Sequence, residues 1–269
     1  MIAVVDYQKG NLKSVERGLI AAGGEAFITA DASEIAKADA IVLPGVGAFA
    51  DAAATMCELG QMEAIRDRVR AGVPFLGICL GEHLMFEHGV EDAPEGNPAC
   101  GLGLLPGTVV AMPRCDAQGK AFKVPHVGWN TIEIHACGGG VTVPPCGEGG
   151  GNAVLSSGGV GGGAARSSAA KRGLFEHGAF PDSTPQPGCD LAFACPLFDG
   201  IAPGEYFYFT HSYIAPTGSH TIAETAHSVR FTSAVQYGER AFGVQFHPEK
   251  SSDAGARVLA NFVAITARG

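Results

Sequence analysis

The fold of this chain is decided by one stretch, Pro74-Phe-Leu-Gly-Ile-Cys-Leu-Gly-Glu-His-Leu-Met-Phe86. An apolar run, 73–78, ends at a cysteine that has a glycine two residues before it and another two residues after it. This order predicts a buried strand, a sharp turn at Cys79 and the start of a helix, which is the plan of a nucleophile elbow with sulfur in place of oxygen. A buried core cysteine at a strand end fits the stretch equally well.

The segments before the elbow alternate between strand-like and helix-like patterns. Such alternation is typical of a parallel sheet covered by helices on both faces. The active sites of open α/β sheets lie at the carboxyl ends of the strands, and Cys79 is expected at such an end. The predicted strands are 2–5, 26–29 and 40–43, and the predicted helices are 11–22 and 48–70, the latter broken near Gly60.

The second half of the chain has hairpin-like links between its apolar runs. The predicted fold class is therefore α/β: a flavodoxin-like, open and largely parallel sheet flanked by helices, with an antiparallel portion in the second half. The later predicted strands are 102–112, 127–134, 206–213, 221–225 and 234–246, and a closing helix is expected from an N-cap at Asp253 to residue 266.

Composition excludes several classes of function. The formal net charge of -9 argues against nucleic acid as a partner, since phosphate binding needs clustered Lys and Arg. No apolar run reaches the roughly 18–20 residues of a membrane span, and the short N-terminal run lacks the basic flank of a signal peptide. Eight irregularly spaced cysteines without a Cys-x-x-Cys pair predict neither a disulfide scaffold nor a metal site, and favour a cytoplasmic protein with reduced thiols.

A glycine-rich segment interrupts the second half at about 138–194. Glycine supplies 15 of its 57 residues, against 24 of the other 212. So little apolar side chain predicts a disordered insertion within a single domain that spans 1–269. Cys137, Cys146, Cys189 and Cys195 lie in or beside it, and their spacing supports a metal site only weakly.

A second chemical motif is Gly243-Val-Gln-Phe-His-Pro-Glu249. Proline at 248 favours an extended backbone at His247, and in an extended chain residues i and i+2 project to the same side. Glu249 could therefore hold the imidazole of His247 while His247 activates a nucleophile. With Cys79 this gives a predicted Cys–His–Glu triad: the thiolate attacks, the histidine acts as base and then acid, and the glutamate fixes the tautomer. A surface turn is the plain alternative for His-Pro-Glu alone.

The turn after the strand at 40–43 is predicted to complete this site. Gly45, Val46 and Gly47 would lie beside the elbow at the same sheet edge, where glycines let backbone N–H groups approach a substrate closely. The N–H of Leu80, the residue after the nucleophile, would be the second oxyanion donor.

Six motifs in order resemble the class I (triad) glutamine amidotransferases, and within them the glutaminase subunit of imidazole glycerol phosphate synthase. The resemblance covers residues 1–134 and 196–269 and leaves out the glycine-rich insertion. The motifs are Asp6-Tyr7 with Gly10-Asn11, Pro44-Gly-Val-Gly-Ala-Phe49, Gly77-Ile-Cys-Leu-Gly81, Pro125-His-Val-Gly-Trp-Asn130, Tyr208-Phe-Thr-His-Ser-Tyr213 and Phe246-His-Pro-Glu-Lys-Ser251.

The resemblance implies a cofactor-free glutaminase that works for a partner. It implies that L-glutamine is hydrolysed through a cysteine thioester, and that the ammonia passes to a (β/α)8-barrel cyclase subunit. That heterodimer would make imidazole glycerol phosphate and AICAR ribotide in histidine biosynthesis. The resemblance assigns His211, Ser212 and Tyr213 to the glutamine pocket, and it assigns Asn11, His126, Trp129, Asn130, Tyr208 and Lys250 to the face that docks on the cyclase.

One departure from the family pattern concerns the elbow. The family continues Cys-x-Gly-Met/Leu-Gln, and its glutamine helps to hold the amino-acid end of the substrate, whereas this chain has Glu82-His83. His83 is therefore the expected substrate contact at that position. Three alternatives stay open: a weakened subunit whose cyclase uses free ammonia, another cysteine hydrolase of flavodoxin-like fold, and a scaffold that only positions a partner.

Overall fold

The computed structural model describes residues 1–135 and 195–268. All of them belong to one compact unit. The insertion predicted at 138–194 lies outside the described residues, as do Cys137, Cys146 and Cys189. Within the described ranges, no helix is long and apolar enough to cross a membrane, and no cluster of His, Cys, Asp and Glu side chains could hold a metal ion.

The first half alternates strands and helices as predicted. In chain order it contains β1 (Ile2–Val5), α1 (Leu12–Ala21), β2 (Ala26–Thr29), α2 (Ala32–Ile35), β3 (Ala40–Gly45), α3 (Phe49–Glu58), α4 (Gln61–Arg70), β4 (Phe75–Cys79), α5 (Leu80–His83), β5 (Phe86–Gly89), β6 (Ala99–Cys100) and β7 (Leu105–Ala111).

The second half is built mainly of strands. It contains β8 (His126–Thr131), β9 (Glu133–Ile134), β10 (Tyr206–His211), β11 (Tyr213–Ile214), β12 (Thr221–Ala226), β13 (Arg230–Tyr237), β14 (Ala241–Val244) and α6 (Ser252–Thr266), with short 3₁₀ turns at Pro196–Phe198 and Pro248–Lys250.

The main sheet in the described part of the chain has eight strands in the order β2-β1-β3-β4-β14-β13-β12-β9. The five strands from β2 to β14 run parallel, and β13, β12 and β9 continue the sheet in antiparallel pairing. This arrangement confirms the predicted fold class. Two smaller sheets, β10-β8 and β11-β7-β5-β6, lie outside it.

The core lies on both faces of the main sheet. Along β1 the side chains of Ile2 and Val4 enter one hydrophobic cluster, and those of Ala3 and Val5 enter the other. Because successive residues of a strand face opposite sides, a fully apolar strand marks a sheet that is buried on both faces. The continuous apolar runs of β1, β3 and β4 are therefore a consequence of their central position.

Some predicted elements differ from the structure. The run predicted as one strand at 234–246 is a hairpin of β13 and β14, because Gly238, with a φ of +59°, reverses the chain. The helix after Cys79 has only four residues, since the chain turns into β5 at Phe86. The closing helix is capped at Ser251, which places Asp253 in its first turn.

Candidate active site

Cys79 ends strand β4 in a strained backbone conformation, with a φ of +54°. A Cβ on Gly77 would lie 2.5 Å from the carbonyl oxygen of Gly81, and a Cβ on Gly81 would lie 1.8 Å from that of Leu43. The two glycines are therefore required because the chain folds back on itself here. Since the following helix has one turn, its dipole favours a thiolate less than a long helix would.

His247 and Glu249 form a buried hydrogen-bonded pair in the loop after β14. Nδ1 of His247 lies 2.9 Å from Oε1 of Glu249, and each side chain is 2% exposed. The same carboxylate oxygen accepts a hydrogen bond of 3.4 Å from the amide of Asn11. Among the described residues, Nε2 of His247 has no hydrogen-bond partner of standard geometry. That nitrogen is therefore free to exchange a proton with a reacting group.

The charges of this pair are coupled to the Cys79 sulfur. Burial lowers the pKa of His247, but interaction with Cys79 and the hydrogen bond with Glu249 outweigh burial, and the resulting pKa is about 9. Burial raises the pKa of Glu249, whereas the interaction with His247 holds it below its usual value. An imidazolium–carboxylate pair beside the sulfur is the charge arrangement that a thiolate nucleophile needs.

A cavity of about 520 Å³ opens over these groups. Most residues predicted for the substrate pocket are among its lining residues, whereas Gly45 is not. The carboxylates Glu91 and Asp92 were not predicted, because neither belongs to a recognisable motif. The lining consists of Val46, Gly47, Ala48, Cys79, Leu80, His83, Glu91, Asp92, Pro125, Thr210, His211, Ser212, Tyr213 and His247.

The predicted oxyanion turn lies beside the elbow, and Gly45 pairs with Cys79 in the register of β3 and β4. The N–H of Val46 donates a hydrogen bond of 3.0 Å to the Tyr7 hydroxyl, which in turn donates to the Val46 carbonyl at 3.3 Å. Tyr7 is 1% exposed, and burial raises its pKa. In this conformation the Val46 N–H is occupied, so its role as an oxyanion donor stays a prediction.

The departure at Glu82-His83 places two ionisable groups in the interior. Glu82 is fully buried, and neither carboxyl oxygen has a hydrogen-bond partner among the described residues, so burial raises its pKa well above the usual value. Burial also lowers the pKa of His83 to about 4, although its hydrogen bond with Gln245 opposes that shift. Burial therefore disfavours the charged form of both side chains, the carboxylate of Glu82 and the imidazolium of His83.

The residues predicted to dock on a partner centre on the antiparallel pair β8–β10. Trp129 is 52% exposed and pairs with Tyr208 in register, with the two rings edge to face. The Lys250 ammonium lies 5.9 Å from the Tyr208 ring. Val127 and Tyr206, which were not predicted, are also exposed on these strands. Val127, Trp129, Tyr206 and Tyr208 together form an apolar surface, which we call the β8–β10 face.

Asn11 and His126 are placed differently from the other residues predicted to dock. Asn11 contacts Glu249 of the triad, as described above. His126 is buried, and its Nδ1 lies 3.0 Å from Nε2 of His211. The Asn130 amide nitrogen lies 3.3 Å from Nε2 of His126, and Nδ1 of His211 lies 2.9 Å from the Tyr213 carbonyl oxygen. Because that carbonyl can only accept, the hydrogen bonds run in one direction, from Asn130 through both imidazoles to the cavity wall.

Comparisons with known proteins show the family to which this chain belongs. The family model of "Glutamine amidotransferase class-I" matches residues 3–142 and 150–265. The chain therefore belongs to the class I glutamine amidotransferase family, which confirms the resemblance found in its motifs.

Two curated relatives are similar to nearly the whole chain. The chain is 36% identical to the "Imidazole glycerol phosphate synthase subunit HisH" of Moorella thermoacetica, over 97% of this chain and 93% of that protein. It is 35% identical to the HisH of Rhodopirellula baltica, over 97% and 96% of the two chains.

Two solved structures share the fold. One is titled "Crystal structure of glutamine amidotransferase"; it has a TM-score of 0.58 at 15% identity and covers 99% of this chain and 100% of its own. The other is PurLQS from Thermotoga maritima, with a TM-score of 0.55 at 14% identity and coverage of 98% and 97%.

Proposed function

We propose that this chain is the glutaminase subunit of an imidazole glycerol phosphate synthase, with Cys79, His247 and Glu249 as its catalytic residues. The observation that carries the proposal is the conjunction of the strained elbow with the charged His247–Glu249 pair. A core cysteine would need neither a strained backbone nor a buried imidazolium beside it.

The proposed reaction begins with attack of the Cys79 thiolate on the side-chain carbonyl carbon of glutamine. The negative charge that develops on the carbonyl oxygen would be stabilised by the Leu80 N–H and by an N–H of the Gly45–Gly47 turn. His247 would then give its proton to the departing nitrogen, and the C–N bond breaks to release ammonia. His247 next takes a proton from water, which attacks the thioester and frees glutamate and Cys79.

The cavity lining offers two carboxylates as partners for the α-ammonium group of the amino-acid substrate. We propose that the α-ammonium group lies beside Glu91 and Asp92, since ammonium pairs with carboxylates. Burial of Glu91, the largest effect, raises the pKa of that carboxyl, which an ammonium group would reverse. His211, Ser212 and Tyr213 are proposed to line the rest of the pocket.

The β8–β10 face is the proposed docking surface for the (β/α)8-barrel cyclase subunit. Aromatic side chains are enriched at the centres of protein interfaces, and the exposed Trp129 with the half-buried Tyr208 provides an aromatic pair. Ammonia would pass from Cys79 to the cyclase and be incorporated into imidazole glycerol phosphate with release of AICAR ribotide. We also propose a cytoplasmic setting, because the phosphorylated compounds of this reaction do not cross membranes freely.

The proposal is tested by co-purification with a barrel cyclase, followed by synthesis assays with glutamine or ammonium as the nitrogen source. Wild type should use both, and Cys79→Ala should use ammonium only while still binding the cyclase. Cys57→Ala is the matched control, since Cys57 is exposed on α3. Glutamine hydrolysis by Cys79→Ala would refute the nucleophile assignment.

The same assay separates the proposal from a weakened subunit. The partnerless Glu82 carboxyl and the occupied Val46 N–H are the observations that favour this second candidate. A weakened subunit would support synthesis with ammonium and none with glutamine, even in the wild-type complex. Glutamine-dependent synthesis at a rate similar to the ammonium-dependent one excludes it.

The docking surface needs a separate test. Trp129→Ala should weaken cyclase binding roughly 30-fold, or about 2 kcal/mol, because an exposed aromatic anchor is lost. Ile20→Ala is the matched control, since Ile20 is 52% exposed, as is Trp129, but lies on α1. Equal effects of the two substitutions in isothermal titration calorimetry would remove the β8–β10 face from the proposal.

A further inference from the structure

Gln245 connects the nucleophile to the unusual residue of the elbow. It directly follows β14, whose last residue Val244 pairs with Ile78, and it is fully buried beside the end of β4. Its side-chain Nε2 donates to the Cys79 sulfur at 3.6 Å, and its Oε1 lies 2.7 Å from Nε2 of His83. One amide therefore contacts both side chains.

The direction of these hydrogen bonds follows from the chemistry of the groups. A carbonyl oxygen can only accept, so Nε2 of His83 must carry the ring proton and donate to Gln245. This contact directs the NH2 end of the amide to the sulfur. If the amide were reversed, its oxygen would face the sulfur and repel the negative charge of a thiolate.

The sulfur has a second polar neighbour with the opposite preference. The Thr210 carbonyl oxygen lies 4.0 Å from Sγ, where it can accept a weak hydrogen bond from the thiol. A thiolate has no hydrogen to donate to that oxygen, whereas it accepts the Gln245 N–H more strongly than a thiol does. The orientation of the Gln245 amide therefore favours the ionised sulfur.

We propose that His83 and Gln245 form a positioning pair for the nucleophile, in which His83 fixes the amide of Gln245 and that amide stabilises the Cys79 thiolate. The inference rests on the proposed function, because it takes Cys79 to be the nucleophile. It gives His83 a different task from the substrate contact expected of its position in the family. A neutral His83 suits this task, since its single ring proton is then held on Nε2 by the Gln245 oxygen.

The test measures the pH profile of Cys79 alkylation by iodoacetamide, resolved by mass spectrometry so that the exposed Cys57 and Cys100 serve as internal standards. Gln245→Met removes both hydrogen bonds at nearly constant volume, and its midpoint should rise by about one pH unit. His83→Leu should raise the midpoint by about half a unit, because the amide loses its fixed direction. His83→Gln retains an N–H donor and should restore the wild-type midpoint.

A double substitution tests whether His83 acts through Gln245. If it does, Gln245→Met combined with His83→Leu should match Gln245→Met alone, because nothing remains for His83 to orient. An additive shift would show that His83 acts on the sulfur independently and would overturn the pair. An unchanged midpoint in Gln245→Met would overturn the thiolate contact. Where a Gln245 variant fails to fold, the two His83 variants decide the outcome by the same midpoints.

Steady-state kinetics of the complex with the cyclase distinguish this role from substrate binding. A positioning pair moves the pH profile of kcat to higher pH and leaves the KM for glutamine nearly unchanged. A raised KM in His83→Leu with an unchanged alkylation profile would return His83 to substrate binding and refute the proposal. Because alkylation needs no glutamine, a wild-type complex without glutaminase activity would refute the proposed function and leave the alkylation test intact.

Discussion

Two glutamate–histidine pairs lie in the interior of this protein, one in the elbow that carries Cys79 and one in the loop whose His247 interacts with the Cys79 sulfur, and the charge states of their histidines differ. In the loop after β14, Glu249 and His247 are joined by a hydrogen bond of 2.9 Å, and the pKa of the histidine is raised to about 9. In the elbow, the Glu82 and His83 side chains are 3.7 Å apart, and the pKa of the histidine is lowered to about 4. The imidazolium of His247 is therefore favoured near pH 7, whereas the imidazole of His83 is neutral there.

The comparison of the two pairs shows that burial alone does not decide the charge state of a residue pair. Burial disfavours the ionised form of all four side chains. At Glu249 it is outweighed, because the carboxylate accepts hydrogen bonds from His247 and Asn11. At Glu82 nothing among the described residues offsets it, since both carboxyl oxygens are without partners. Geometry within about 1 Å thus separates a pair whose charged forms are stabilised from a pair in which burial disfavours both charges.

The largest effect is expected when the ionised pair is neutralised. Glu249→Gln should lower kcat for glutamine hydrolysis roughly 10³-fold, because the amide neither stabilises the imidazolium nor holds its tautomer. Glu82→Gln should change kcat less than about threefold, since burial already disfavours the charged form of that carboxyl. The assay is glutamate release by the complex with the cyclase. Similar losses in the two variants would erase the distinction between the pairs.

The Glu82–His83 pair should instead affect the free energy of unfolding. Glu82→Leu, which introduces a residue typical of the family, should raise the free energy of unfolding by about 1–3 kcal/mol at pH 8, because a partnerless buried carboxyl is removed. The folded-state pKa of Glu82 lies above the usual 4.5, so the cost grows as the pH rises above 4.5 toward the folded pKa. Urea unfolding at pH 5 and pH 8 should therefore show the larger gain at pH 8.

A control separates charge from shape in that experiment. Glu82→Gln retains the polar side chain but does not titrate, so its stability relative to Glu82→Leu should be independent of pH. A gain for Glu82→Leu that is equal at pH 5 and pH 8 would mean that the Glu82 carboxyl does not resist ionisation in the folded protein.

His83 should make the protein sensitive to acid. Its pKa falls from 6.5 to about 4 on folding, so stability is lost as the pH drops from 6.5 toward 4, where the unfolded chain binds the proton more readily. At pH 5 this loss amounts to about 2 kcal/mol. His83→Gln should lack it, and urea unfolding at pH 7 and pH 5 measures the difference. The pH dependence of stability at His247 has the opposite sign. Its contribution to stability is present below pH 6.5 and is lost as the pH rises through about 9.

The smallest effect is expected at the edge of the ionised pair. Asn11→Ala removes one long hydrogen bond to Glu249 and should lower kcat about threefold, which is the net effect of a modest hydrogen bond. Titration calorimetry with the cyclase is the companion measurement. Weaker cyclase binding with an unchanged kcat would instead support the docking role that the resemblance assigned to Asn11.

Much of the fold followed from local pattern. The apolar runs of β1, β3 and β4 and the helical spacing of α1 predicted their elements within a few residues, because strands buried on both faces tolerate almost only apolar side chains. The hairpin β13–β14 was missed because a single glycine, Gly238, reverses a run whose composition is otherwise continuous. The strand β5 was missed because Phe86-Glu-His-Gly89 directly follows the start of a helix and has no clear strand pattern of its own.

Some residues of the candidate site could be predicted from the sequence, and others could not. Cys79 and the His247–Glu249 pair could be found because each lies in a short motif whose spacing has a chemical meaning. Gln245 had a usable signal, since it is two residues before His247 in an extended run and so projects to the same side. Glu91, Asp92 and the Tyr7–Val46 contact had no such signal, because the loops that bring them to the cavity follow no periodic pattern.

From its sequence alone, the chain could be assigned a class of fold, a candidate nucleophile and candidate partners for it, since periodicity and motif spacing are local properties of the chain. The surroundings of the two glutamate–histidine pairs and the contacts from His83 through Gln245 to Cys79 became visible only in the tertiary structure. Those depend on distances between strands that are remote in sequence: Gln245 and Cys79 are 166 residues apart in the chain and are joined by the pairing of β14 with β4. Hydrogen bonding and desolvation depend on distances in three dimensions, and the register of the sheet determines those distances.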